Sequence, residues 1–343
     1  MKKPLRLYWG ENYTPKSIKI QKIIDKASQQ ACESIHLYPG ELQLELKKEI
    51  AKKYKVNIEQ IFLGNGIENL IHLSVRALTK QGDKVAFLSP TFPVFETAAD
   101  TYEMRKIEIP IKIGKKLQAI NLLKSLVGTK LFYLAYPNNP TGQYVLSLKE
   151  LKVFASKYSG KIILDECYWG IGKKTGINLI SKSPNIIVMR SLSKSSGLAG
   201  LRFGFSISNK TISQSLHKYS TKIEADSLNS FTCCIAKKIL PLTEELSDQY
   251  VKFKAAFINN LKKKTGLETI RNETSFILAV IPEKINVSVL MKELKQTGYE
   301  TKDCSKYDYF PMNILMFAVP PEDKWPDFFS DINNSLFKYK KGG

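Results

Sequence analysis

The sequence predicts an α/β fold: a large domain with a mostly parallel sheet between helices, plus a smaller α+β domain. Three observations carry this. Short runs rich in β-formers recur at KVAFLSP (84–90), KLFYLAYP (130–137), KIILDECY (161–168), NIIVMRSLS (185–193) and LRFGFSIS (201–208). Helix-patterned segments such as 67–79 and 147–158 separate them, and strands alternating with helices argue for parallel pairing with helices on both faces. Beyond two longer helical stretches, 211–240 and 243–265, the runs TSFILAVIP and ILMFAV flank a helix near 287–297, the pattern of a compact α+β unit. No internal repeat, low-complexity tract or long linker interrupts this order.

Bulk properties agree. A chain of 343 residues can bury a large core and form two domains, and 43% apolar with 10% aromatic residues describes an ordinary globular protein. No apolar run reaches the roughly 18 residues of a membrane-spanning helix. The start, MKKPLRLYWGENYTPKS, carries two lysines but no apolar stretch, so it does not read as a signal peptide. Cys32, Cys167, Cys233, Cys234 and Cys304 form no CxxC pair, which fits free thiols in a reducing cytoplasm. His36, His72 and His217 lie far apart, and no metal site is expected. The net charge of +20 comes mostly from scattered lysines. In ELKKEIAKKYK they form the polar side of a helix whose other side carries Leu42, Leu46 and Ile50. This reads as a solvated surface; with no zinc-finger, RNP-like or helix-turn-helix signal, neither nucleic acid nor membrane is expected as a partner.

The chemistry sits where the strands end, since open α/β sheets bind ligands beyond the carboxyl ends of their strands. IFLGNGIEN is a short strand, a glycine turn and a helix with Ile67, Leu70, Ile71 and Leu78 on its apolar side. The backbone N–H groups of Gly66 and Ile67 at that helix start make a ready anion site. SPTFPVF places Phe92 past a strand end between stiffening prolines, where a core aromatic would also fit. YPNNPTG fixes Asn138 and Asn139 in a rigid loop that presents an amide. In ILDECYWG, Asp165 ends a buried strand, and a buried carboxylate is costly unless a cation meets it. Tyr168 follows three residues later. SLSKSSGLAGLRFG sets Lys194 in a Ser/Gly-rich turn, with hydroxyls at Ser191 and Ser193 and a guanidinium at Arg202.

The ordered set GNG, PTFPVF, NNPTG, DECY, SLSK and GLRFG resembles the fold-type-I aminotransferases (class I/II), in particular their histidinol-phosphate aminotransferase-like branch, from about residue 8 to 320. The resemblance implies the PLP-dependent transferase (aspartate aminotransferase-like) fold, the cofactor pyridoxal 5′-phosphate, and a role for each motif residue. Lys194 would join the cofactor aldehyde and later shuttle the substrate Cα proton. Asp165 would pair with the pyridine nitrogen, supplying the ring with a proton and the buried carboxylate with its cation. Asn139 and Tyr168 would hydrogen-bond the phenolic oxygen, and Phe92 would stack on the ring. Ser191, Ser193, Arg202, Gly66 and Ile67 would hold the phosphate, together with Tyr38 from a neighbouring subunit, which implies a homodimer. The expected large domain spans 36–244, and the small one combines 1–35 with 245–343.

The substrate side departs from the family pattern. Met316, in ILMFAVP, stands where an arginine that grips a substrate anion is usual, and Lys302 replaces a second arginine before DCS. One bidentate grip is absent and the other is reduced to a point charge. Each lost charged hydrogen bond is worth about 1.5–3 kcal/mol, a factor of roughly 10 to 150 in binding. A substrate anion would have to reach Lys302, Lys306 or the YWGENYTP segment, where Tyr13 aligns with a substrate-contacting aromatic. The expected activity is therefore amino-group transfer between a small amine or amino acid and a 2-oxo acid. The alternatives are a decarboxylase of the threonine-phosphate type and a non-catalytic cofactor-binding scaffold.

Overall fold

The structure, a computed structural model, describes residues 4–223, 228–305, 310 and 312–341. Strand β1 (Leu5–Arg6) opens the chain, followed by helices α1 (Ile18–Glu33) and α2 (Gly40–Tyr54). Among the described residues, seven strands then make the main sheet: β2 (Ile61–Gly64), β3 (Lys84–Ser89), β4 (Arg105–Pro110), β5 (Leu131–Ala135), β6 (Lys161–Asp165), β7 (Ile186–Ser191) and β8 (Gly204–Ile207). Their order is β2-β8-β7-β6-β5-β3-β4. Strands β3 to β7 run parallel, whereas β8 is antiparallel to both its neighbours, β7 and β2.

Helices cover both faces, which is why the central strands are apolar at nearly every position rather than at alternate ones. Toward one face, α3 (Gly66–Leu78), α4 (Val94–Thr101) and α7 (Lys210–Ser220) pack on Phe87, Tyr133, Ile163 and Ile187. Toward the other, α1, α2, α5 (Ala119–Ser125), α6 (Leu148–Lys157) and α8 (Ser230–Ile239) pack on Phe132, Leu134, Ile162 and Val188.

Two expectations change here. The stretch 211–240 is not one helical run. Asn209 and Asn229 each accept a hydrogen bond from the amide three residues on, so each starts its own helix, α7 or α8. Helix α1, expected with the smaller domain as part of 1–35, buries Ile20, Ala27 and Ala31 in the main core against α8. Only the chain before it, with Leu7, joins the second core.

That second core forms where α9 (Thr243–Thr265), α10 (Val287–Gln296) and α11 (Trp325–Lys341) pack on a small antiparallel sheet. Its strands are β9 (Phe276–Val280), β11 (Lys302–Asp303) and β12 (Ile314–Ala318), in the order β11-β12-β9, while β10 (Tyr299–Glu300) pairs in parallel with β1. Side chains alternate across this sheet. Ile277, Ala279, Leu315 and Phe317 face the helices; Phe276, Leu278, Ile314 and Met316 pack toward Tyr168 and Ile171 of the main unit. No helix among the described residues is long and apolar enough to cross a membrane.

Candidate active site

Strand register gathers the sequence-predicted residues at one end of the main sheet. Gly64 and Ser191 both pair with Gly204, so the ends of β2 and β7 and the start of β8 stand in one row. Just beyond that row lie the first turn of α3, Ser193 and Arg202. The approach is close. A Cβ on Gly66 would lie 2.9 Å from Arg202 Nη2, and one on Gly204 would lie 2.9 Å from the Gly66 carbonyl carbon. Gly66 has φ +81°, which favours glycine. Arg202 adopts a left-handed backbone itself, at φ +50°. For a residue with a Cβ that conformation costs about 1–2 kcal/mol, and it aims the guanidinium back across the row. Ser191 Oγ accepts from the Ser193 amide at 3.2 Å. The Asn65 side chain does not cap α3, so the first amides of α3 lie beside the Arg202 guanidinium, next to the turn that carries Ser191 and Ser193. This arrangement suits a dianion such as phosphate. Glu68, in the first turn of α3, lies 3.6 Å from Arg202 Nη2.

Asp165 ends β6, in register with Ala135 and Met189. It is buried, and burial pushes its carboxyl above the usual range, while hydrogen bonds from Tyr133 and Cys167 and the charge of Lys194 pull it back. The Tyr133 hydroxyl donates to Oδ2 at 2.7 Å, and the Cys167 amide donates to Oδ1 at 2.9 Å. No cation among the described residues forms an ion pair with it. Burial and the Asp165 charge push the Tyr133 phenol well up, so it stays a donor. The next residue, Glu166, lies in a different network. Its Oε2 accepts from Arg190 Nη2 at 2.8 Å, and the Arg190 guanidinium sits between the rings of Trp169 (4.1 Å) and Tyr54 (4.9 Å).

Lys194 follows β7. Its Nζ donates to the Trp9 carbonyl at 2.7 Å and lies 3.4 Å from the Gly10 carbonyl. Burial lowers its ammonium below the ordinary lysine range. Asn12 clamps the same turn, donating from Nδ2 to the carbonyls of Lys194 (2.9 Å) and Ser195 (3.1 Å).

In the YPNNPTG loop the two asparagines divide the work. Asn138 is internal bracing: it accepts from Thr91 and donates to the Pro90 carbonyl and Thr141. Asn139 is half-buried, and its side chain makes no hydrogen bond within the described residues. Tyr168 is buried beside Phe276 with its hydroxyl likewise unpaired, and Phe92 is half-buried at the edge of the core under β3 and β6.

The remaining sequence candidates have other surroundings. Tyr38 is 92% exposed. The Tyr13 hydroxyl donates to Glu11 at 2.7 Å. Met316, 2% exposed, packs with Leu278, Phe310 and Cys304 in the apolar layer that also holds Tyr168, and Lys302 pairs with it across β11 and β12. Lys306 lies outside the described residues. Among those described, no cluster of His, Cys, Asp or Glu could hold a metal ion.

Comparison with known proteins identifies the family. The family model for aminotransferase class I and II matches residues 2–301. The chain belongs to this family. Within it, the chain falls in the histidinol-phosphate aminotransferase-like branch. A histidinol-phosphate aminotransferase from Thermoanaerobacter pseudethanolicus is 29% identical over 317 residues, covering 89% of this chain and 86% of that one. The structure of a Sinorhizobium meliloti histidinol-phosphate aminotransferase in complex with pyridoxal-5′-phosphate superposes with a TM-score of 0.83 at 20% identity, covering 98% of this chain and 92% of that one. An L-threonine-O-3-phosphate decarboxylase from Porphyromonas gingivalis has a TM-score of 0.77 at 20% identity, covering 97% and 99%.

Several neighbours of this aminotransferase site were not singled out from sequence. The carbonyls of Trp9 and Gly10 carry no side-chain signal, and Asn12 meets Lys194 from 182 residues away. Tyr133 was legible only as a strand residue. Its hydroxyl, inside an otherwise apolar run, was the available hint, because a buried phenol seeks a partner.

Proposed function

We propose that this chain uses pyridoxal 5′-phosphate to move an amino group between a small amine or amino acid and a 2-oxo acid. The observation that carries this is Asp165: a buried carboxylate, held by two donors, with no cation among the described residues paired to it. A protonated pyridine nitrogen is the partner it fits. The phosphate would sit between the start of α3 and Arg202, where a Cβ at Gly66 would lie 2.9 Å from the guanidinium. Asn139 and Tyr168 have free polar groups for the phenolic oxygen, and Phe92 borders the ring site. When bound, the cofactor supplies an electrophilic carbon for the amine and a ring that takes up the electron pair freed at the substrate Cα.

Each residue then has a bounded task. Lys194, its ammonium drawn below the ordinary lysine range by burial, would hold the cofactor through Nζ as a free amine and would carry the proton to and from the substrate Cα on the same atom. Asp165 keeps the ring nitrogen protonated, and Tyr133 keeps Asp165 oriented. The substrate wall is apolar at Met316, so the substrate either lacks an anion there or places it toward Lys302 or the segment around Tyr13. The active unit is a cytoplasmic homodimer. Exposed Ile35, Leu37 and Tyr38 form an apolar surface next to α2, and Tyr38 reaches the partner's phosphate site.

The test is to load the protein with cofactor and offer a panel of amines, each with 2-oxoglutarate, following the visible spectrum and both products by mass. The expected result is equal amounts of oxo product and glutamate from one amine. Carbon dioxide release without any acceptor would replace transfer by decarboxylation. Bound cofactor with no turnover of any amine would leave only a binding protein and overturn the proposal.

A further inference from the structure

The segment Asn272–Phe276, which leads into β9, touches the site from three sides. The Glu273 amide donates to the Gly142 carbonyl at 2.9 Å, fixing the end of the loop that carries Asn139. The same loop turns at Gly142 (φ +67°), where any Cβ would run into the Asn272 side chain. Ser275 Oγ donates at 3.0 Å to the Gly10 carbonyl, which also lies 3.4 Å from Lys194 Nζ. The Phe276 ring lies against Tyr168.

Lys254, on α9, holds this segment. Its Nζ donates to the Thr274 carbonyl at 2.7 Å, to Asn272 Oδ1 at 3.1 Å and to the Asn272 carbonyl at 3.4 Å. One turn earlier on the same helix, the Tyr250 hydroxyl donates to the Ser275 carbonyl at 2.8 Å. Lys254 is only 6% exposed, and no carboxylate among the described residues lies within ion-pair distance of it. Burial pushes its ammonium down to about 7, with the charge of Glu273 pulling the other way. A buried cation on neutral carbonyls is an expensive way to fill space, and a methionine would fill the same volume without that cost.

We infer that Lys254 is a positioning residue for the aminotransferase site: by clamping Asn272–Ser275 it sets the Asn139 loop on one side and the Gly10 carbonyl facing Lys194 on the other. This rests on the amino-transfer reading above. It adds a control point that acts through the Asn272–Ser275 backbone. A shift of about 1 Å in such supports can cost on the order of 100-fold in rate.

The experiment compares Lys254→Met, Lys254→Arg and Ser275→Ala with the unsubstituted full-length protein. Lys254→Met is expected to weaken cofactor affinity and lower kcat by about 10- to 100-fold, and to shift the pH midpoint of the bound cofactor's visible band. Lys254→Arg keeps the donors and should recover much of each. Ser275→Ala should act in the same direction but less, and the pair Lys254→Met/Ser275→Ala should be non-additive, because both act through one segment. A Lys254→Met protein that melts earlier yet keeps the band midpoint, cofactor affinity and kcat within twofold would overturn the inference. If Lys254→Met does not fold, Ser275→Ala decides alone, since an unmoved midpoint there breaks the link to Gly10. Failure of the unsubstituted protein to turn over any amine would sink the amino-transfer reading and leave this comparison intact, because affinity and midpoint are read without turnover.

Discussion

Gly66→Ala separates the phosphate site from the fold that carries it. The substitution has two costs. A Cβ at φ +81° costs about 1–2 kcal/mol of backbone strain. The new methyl also lies 2.9 Å from Arg202 Nη2 and 3.3 Å from its Cζ, closer than those atoms can stay. The Arg202 side chain is half exposed (51%), so it swings away into solvent and adds little further loss of stability. With the phosphate held as proposed, the loss is one charged hydrogen bond to it, worth about 1.5–3 kcal/mol, or roughly 10- to 150-fold in cofactor affinity. Gly82→Ala is the matching control: its φ is also +81°, but nothing lies within 4 Å of the added Cβ. Denaturant unfolding of the cofactor-free proteins should place the two variants together, within about 0.5 kcal/mol. Titration with pyridoxal phosphate should separate them by at least tenfold. Equal cofactor affinity in the two variants would refute the placement of the phosphate between α3 and Arg202.

Four further outcomes are expected. Lys194→Ala should remove the visible cofactor band and nearly all transfer activity, and a variant that still transaminates normally would sink the role of that lysine. Arg190→Met should destabilise by about 3–5 kcal/mol by stranding buried Glu166, with much of this recovered in Glu166→Gln/Arg190→Met when unfolding is followed by circular dichroism. Between pH 7 and 10, the unfolded chain still binds the Lys254 proton that the folded state has released, so Lys254's own contribution to stability should rise with pH by on the order of 4 kcal/mol, read as the difference from Lys254→Met. Lys254→Met should flatten that slope in a pH series of urea melts. Met316→Arg should lower the melting temperature, because a guanidinium enters an apolar layer, and should improve kcat/KM for carboxylate- or phosphate-bearing amines; an unchanged preference means the position does not face substrate.

The residues legible in the sequence share one physical property: their chemistry is local. Asp165 announces itself because three aliphatic residues precede a charge, and Lys194 because the turn holding it needs its own serines and glycines. Gly66 and Arg202 were readable for the same reason, although their 2.9 Å approach depends on strand register. What stayed hidden was made by distant backbone. The Trp9 and Gly10 carbonyls that receive the Lys194 ammonium look the same in sequence as any other carbonyl. Lys254 was one lysine among many, and only burial sets it apart. For α1, amphipathic spacing shows that one side is covered but not by which core, and the helix went to the main one. The break at Asn229 was missed because a capping asparagine inside an apparently continuous pattern is a weak mark beside the apolar residues that flank it.

The row Gly64–Gly204–Ser191 has a consequence for assembly. Its members come from strands near positions 61, 186 and 207 of the chain, and β8, the last to be made, must insert between β2 and β7 before the row exists. A nascent chain ending earlier has no place to grip a phosphate. A misassembled sheet with β2 laid directly on β7 would lack Arg202 at the cup. With the phosphate held there as proposed, pyridoxal phosphate would bind only sheets closed in the right strand order, and by mass action would draw the population toward them. The ligand that performs the chemistry also inspects the workmanship of the sheet that holds it.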